Sequence, residues 1–135
     1  MSTIDTETIE PGKFPLTLRV RDKHTLRVDV SAEQGSDDSA PGPHDFFDAA
    51  LAACKAETAM WLAKRKGFPL ERVEAHVDRD ESEERAGTYT LRVRLAFHGP
   101  LDDAQKKQLY DAVGRCPIHK LMTTSEVVIE TAPLS

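Results

Sequence analysis

Apolar and polar positions alternate along four stretches of the chain, and the alternation predicts strands. Leu16, Leu18 and Val20 are interleaved with Thr17, Arg19 and Arg21, and Leu26, Val28 and Val30 with Arg27 and Asp29. A period of two turns one side of each segment to a core and the other to water. The short link Asp22-Lys23-His24 makes them a hairpin. Val73, Ala75 and Val77 alternate with polar neighbours, as do Leu91, Val93, Leu95 and Phe97, with SEERAG as the turn between them. LERVEAHVDRDESEE and GTYTLRVRLAFHG are therefore read as a second hairpin. SEVVIETA, from Ser125, predicts a last strand, and residues 1–13 a flexible lead.

Elsewhere the period lengthens to that of a helix. HDFFDAALAACKAETAMWLAKRKG is rich in Ala, Leu, Lys and Glu, opens after Pro43, and closes on Lys64-Arg65-Lys66 with Gly67 as a stop. Residues 46 to 54 are apolar nearly all round, Asp48 excepted. That part of the helix is expected to be covered on most sides, by a core or by a partner chain. DDAQKKQLYDAVGR sets Ala104, Leu109 and Val113 on one face and offers Asp102 or Asp103 as its cap. EQGSDDSAPGP, residues 33–43, reads as an acidic, mobile loop. The order ββ–α–ββ–α–α–β predicts an α+β fold with mainly antiparallel pairing, and a length of 135 residues suits a single domain, 1–135.

Charge narrows the function classes. Against 18 Lys and Arg stand 23 Asp and Glu, a formal net charge of −5, which argues against a nucleic-acid partner. No run approaches the roughly 18 to 20 apolar residues of a membrane span. The opening MSTIDTETIEPGKF is acidic and lacks an apolar signal core, so a cytoplasmic protein is expected. In that compartment the two cysteines are expected to be free, metal-bound or redox-active rather than permanently paired. Zinc would need further ligands, and the histidines at 24, 44, 76, 98 and 119 lack ligand spacing. No metal and no cofactor is expected.

The cysteines sit in contrasting settings. Cys116 precedes Pro117, a residue favoured at the first helical position, which places the thiol at a helix N-cap. The dipole there, with Arg115, His119 and Lys120 nearby in sequence, favours a thiolate. The alternative is a small residue filling a helix start among solvated charges. Cys54 has Phe47, Ala50, Leu51, Thr58 and Trp61 as helical neighbours, an apolar setting that raises a thiol's pKa. Taken alone it reads as core filling.

GPHDFFDAALAAC, KGFPLERVE and RCPIHK together resemble the OsmC/Ohr superfamily of osmotically induced and organic-hydroperoxide-resistance proteins. The likeness runs from Gly42 to the end of the chain, with a compatible hairpin before it, and His119 and the GPHDFF start are closest to its broader OsmC-like branch. The resemblance implies an intertwined homodimer with long central helices in its core. It implies that Cys54 is a peroxidatic cysteine, oxidised to a sulfenic acid by an organic hydroperoxide. Cys116 would resolve it as a disulfide, and a dithiol such as a lipoyl protein would reduce that disulfide. It further implies an arginine from the first hairpin, so that Arg19, Arg21 and Arg27 are all candidates, held by an acidic residue near the start of the long helix. His44 stands where the hydroperoxide-resistance enzymes carry glutamate, and Asp45 matches the acidic residue of the OsmC-like branch. Nine helical positions separate Asp45 from Cys54, about 13 to 14 Å and half a turn, so Asp45 reaches such a site only from the other protomer. Phe46, Phe47, Met60 and Trp61 are candidates for an apolar wall that selects alkyl or acyl hydroperoxides. An OsmC-like redox sensor or small-molecule binding protein with little turnover is the alternative function.

Overall fold

Two antiparallel sheets and a set of helices follow from these patterns, and a computed structural model describes them over residues 3–134. Met1, Ser2 and Ser135, which the single-domain and flexible-lead expectations include, lie outside the described residues. The chain packs as two compact units, one up to Phe47 and one from Asp48 on.

In the first unit, β1 (Ile4–Thr8), β2 (Leu16–Val20) and β3 (His24–Val28) form one sheet in that order. Thr6 pairs with Leu18, and Leu18 with Leu26. The expected flexible lead is thus corrected: from Ile4 it is an edge strand. Every residue of β1 is exposed, so pairing to β2 rather than burial holds it, helped by Arg21 N–H donating to Thr3 O at 2.8 Å. Arg21 and Asp22 turn the hairpin in the left-handed region, at φ of 53° and 58°.

Asp29 follows β3 and is 1 % exposed. Its carboxylate accepts from Val30 N at 2.7 Å, Ser39 N at 2.9 Å and Ser39 Oγ at 2.6 Å. The hydroxyls of Ser36 and Ser39 hold that carboxyl well below the usual range. The acidic segment read as mobile is therefore tied back onto the sheet that precedes it.

The long helix α1 (Pro43–Lys66) begins with proline at a position that needs no N–H. It ends at Gly67, φ 72°, where Phe68 N–H donates to Ala63 O at 2.8 Å. Its buried stripe is Asp48, Leu51, Lys55, Ala59 and Ala63, spaced by three and four. Within residues 46 to 54, Phe47, Ala49, Ala50 and Ala53 are exposed, so one chain does not cover that part of the helix on most sides. In the second unit β4 (Arg72–Asp80) and β5 (Thr90–His98) pair antiparallel, Val73 opposite Phe97 and Val77 opposite Val93. Ala59, Ala63, Phe97, Leu109 and Val113 form the core there. Leu109 is fully buried, and such a side chain contributes about 1.5 to 3 kcal/mol. Gly99 has no substitute: a Cβ would lie 2.2 Å from Pro69 O, where the chain entering β4 crosses the end of β5.

Asp102 caps α2 (Asp103–Val113) in a reciprocal box with Gln105, each side chain meeting the other's backbone N–H. The short α3 (Pro117–Thr123) starts with Cys116 as N-cap and Pro117 at the first helical position. The strand expected over residues 125–132 does not form among the described residues, and this is a correction. Its pattern is that of a strand, but a strand needs an edge to pair with. Val127, Val128 and Ile129 instead stand exposed, Ile129 at 81 %.

Candidate redox site

Two local structures bring the thiols together. The link from α2 to α3 is tight, with Arg115 N–H donating to Ala112 O at 3.0 Å and Cys116 N–H to Val113 O at 3.4 Å. It folds Cys116 inward to full burial. Cys54 lies on α1 beside the buried stripe and is half-buried. Each cysteine is a free thiol, and Cys54 lies close enough to Cys116 to raise that thiol's pKa. Thr58 Oγ1 donates to Cys54 O at 2.7 Å, one turn along.

Burial pushes the Cys116 thiol up, and this outweighs what the helix start supplies. The His119 N–H faces the sulfur and lowers it, without closing a capping hydrogen bond. The neighbouring Cys54 raises it, and the positive charge of Lys55 lowers it. The thiolate bias expected for Cys116 is therefore corrected: desolvation wins. Arg115 and Lys120, expected to add potential there, are exposed and line an open cleft of about 480 Å³ with Trp61 and Arg65. The Arg65 guanidinium stands over the Trp61 ring at 5.2 Å.

Two buried charged residues of α1, one of them at the site, were not singled out from the sequence. Lys55, 6 % exposed, donates its Nζ to Val113 O at 2.7 Å and meets His119 Nδ1 at 3.1 Å. The signal was available: Lys55 falls four positions after Leu51 and four before Ala59, on the stripe that must be buried. Asp48 falls on the same stripe, and its carboxylate accepts from Arg79 Nε and, at 2.8 Å, from Tyr89 Oη.

The remaining candidates have other surroundings. Asp45 is exposed in the first turn of α1, where its Oδ2 accepts from Gly42 N–H at 2.8 Å. Arg19 pairs with Asp22 at 2.9 Å, and Arg27 Nε donates to Ser39 Oγ at 3.1 Å. Arg21 sits in the turn. Phe46 is half-buried, whereas Phe47, Met60 and Trp61 are exposed, Trp61 at 61 %. Among the described residues no three His, Cys, Asp or Glu side chains cluster so as to hold a metal ion. No helix there is long and apolar enough to cross a membrane.

A small α+β chain with two adjacent free thiols, one at a Cys-Pro helix start, defines a class. Residues 35–132 match the sequence model of the OsmC family, described as OsmC-like protein, and the chain belongs to that family. Solved structures agree in fold. An OsmC-like protein from Mycoplasma pneumoniae is 22 % identical, with a TM-score of 0.72, over 92 % of this chain and 88 % of that one. The organic hydroperoxide resistance protein OsmC from Legionella pneumophila is 21 % identical, with a TM-score of 0.63, over 92 % and 90 %. The organic hydroperoxide resistance protein OhrB of Bacillus subtilis is 18 % identical, with a TM-score of 0.62, over 92 % and 91 %. At these identities the likeness is one of fold. Among curated proteins none matches the chain in sequence.

Proposed function

We propose that the chain is a thiol-dependent peroxidase that reduces organic hydroperoxides. The observation that carries this reading is the placement of half-buried Cys54 beside fully buried Cys116. The more accessible sulfur suits first attack, and the sheltered one suits resolution. The Cys54 thiolate attacks the distal oxygen of ROOH, the O–O bond breaks, and the alkoxide takes a proton to leave as ROH. Cys54 is now a sulfenic acid. The Cys116 sulfur displaces its oxygen as water, forming a Cys54–Cys116 disulfide. A dithiol reductant of the lipoyl type returns both thiols and is itself oxidised to a disulfide. Apolar side chains on α1, Phe46, Phe47, Met60 and Trp61, favour an alkyl or acyl substrate over hydrogen peroxide.

The working form proposed is a homodimer. Exposed Met60 and Trp61 on α1 and exposed Val127, Val128 and Ile129 in the C-terminal segment are apolar surface that a second copy would cover. Asp45 and one of Arg19, Arg21 or Arg27 enter the site in that assembly. Size-exclusion chromatography with light scattering is expected to give twice the mass of one chain, and deletion of residues 125–135 to shift it toward the monomer. A monomeric full-length protein would remove this part of the scheme.

The activity is tested by steady-state consumption of cumene hydroperoxide with dihydrolipoamide in excess. Sustained turnover beyond one equivalent per chain is expected, and no consumption above the uncatalysed rate would sink the reading. A dithiol sensor is the second reading, favoured by the separate engagements of Asp45 with Gly42 and of Arg19 with Asp22. It gives the disulfide with one equivalent of hydroperoxide and no turnover after that.

A further inference from the structure

Lys55 is buried, at 6 % exposure. Among the described residues no carboxylate lies in ion-pair reach of its Nζ, although buried charges are as a rule paired. Its polar partners are the Val113 carbonyl at the C-terminus of α2, where the helix dipole is negative, and His119 Nδ1. Both partners border Cys116. The Val113 carbonyl also accepts the Cys116 N–H, and His119 stands three residues on in the same helix start. Lys55 itself follows Cys54 directly in α1. The titratable groups gathered here are thus Cys54 and Lys55 from α1 and Cys116 and His119 from α3, while α2 brings only its terminal carbonyl.

We propose that Lys55 is a positioning residue, the built-in counter-ion for the thiolate of the Cys54–Cys116 pair, and that it locks His119 as the tautomer protonated on Nε2. An ammonium has three donors and no acceptor, so the His119 Nδ1 that faces it must be the acceptor, leaving the ring proton on Nε2. Among the described residues Lys55 meets an anion here only when one of the two thiols ionises. This chain thereby carries within one protomer a cation for the site that does not depend on the hairpin arginines. The proposal rests on the reading of Cys54 and Cys116 as a redox pair.

The test uses the full chain as wild type, Lys55→Met and Lys55→Arg, with circular dichroism to verify folding. In the wild type, nitrogen-15 NMR of His119 at neutral pH is expected to show Nε2 protonated and Nδ1 bare. A bare Nε2 would overturn the proposal without any variant. Alkylation by iodoacetamide, resolved for each cysteine by mass spectrometry across pH, is expected to slow about tenfold near pH 7 in Lys55→Met, as its midpoint moves up by about one unit. The His119 signals are expected to change toward a mixture of tautomers. Lys55→Arg restores most of the rate, which a merely space-filling role would not require. If Lys55→Met does not fold, Lys55→Gln makes the same comparison while keeping a donor for Val113. Unchanged alkylation midpoints in either folded neutral variant would overturn the proposal. Neither readout uses a peroxide, so these results can hold while hydroperoxide turnover fails, and the two failures are told apart.

Discussion

Cys54→Ser is expected to abolish hydroperoxide turnover, while Cys116→Ser completes a single cycle and stops. The asymmetry follows from burial. Cys54 is half-buried and open to a substrate, and a serine hydroxyl there has no accessible anion at neutral pH. Consumption of cumene hydroperoxide by Cys54→Ser should fall to the uncatalysed rate. In Cys116→Ser the first attack is intact, so about one equivalent of hydroperoxide disappears in a burst. No protein thiol then displaces the sulfenic oxygen, and with hydroperoxide added before any dithiol, further peroxide drives Cys54 to sulfinic acid, which dithiols do not reverse. Mass spectrometry of the alkylated protein reads both species. Cys116 is fully buried, so its replacement by serine also confines a hydroxyl, at a cost of about 1 to 3 kcal/mol if that group finds no partner. Cys116→Ala avoids that cost and should show the same burst. Sustained turnover in a folded Cys116→Ala protein would remove Cys116 from the cycle, and a burst in Cys54→Ser would reverse the assigned roles.

Elements closed by local chemistry were legible in the chain. The long helix was found between Pro43 and Gly67, and α2 from Asp102, because a cap, a stop and a 3.6-residue period all act within a few residues. Both hairpins were found because alternation and a short link suffice. What depended on distant partners was missed. β1 is IDTET, exposed throughout, so no apolar period marks it, and only its pairing with β2 makes it a strand. The C-terminal segment errs the other way: SEVVIETA has the composition of a strand, but composition does not supply an edge. The thiol pair was reached through a family resemblance, since a separation of 62 positions says nothing by itself. Lys55 was missed because a lysine in a helix reads as part of its wet face. Only the spacing of Leu51, Lys55, Ala59 and Ala63 reveals that this one points inward.

Asp48→Ala is expected to destabilise the second unit by about 3 kcal/mol, toward the lower end of what removing one partner of a buried ion pair costs. Asp48 is 7 % exposed on the buried face of α1, and its two oxygens take Arg79 Nε from β4 and Tyr89 Oη from the approach to β5. One carboxylate therefore clamps α1 to both arms of the hairpin. Without it the Arg79 guanidinium and the Tyr89 hydroxyl each lose one hydrogen bond at once. Arg79 keeps 28 % side-chain exposure and regains some water, which is why the larger values for a fully sealed pair do not apply. Urea denaturation measures the loss, and an effect below about 1 kcal/mol would show that the apolar stripe alone holds the helix. Titration gives an independent reading of the same clamp. Burial, then the hydrogen bond and negative charge of Asp48, push the Tyr89 phenol up to about 12, with Arg79 opposing. The folded phenol thus keeps its proton where the unfolded one, near its ordinary value of about 10, has lost it. This contribution is whole below pH 10 and disappears as pH rises toward 12. Wild type should therefore lose stability over that interval more steeply than Tyr89→Phe, while the lysines titrate alike in both and cancel in the comparison. Parallel denaturation profiles would mean that Tyr89 does not report on Asp48.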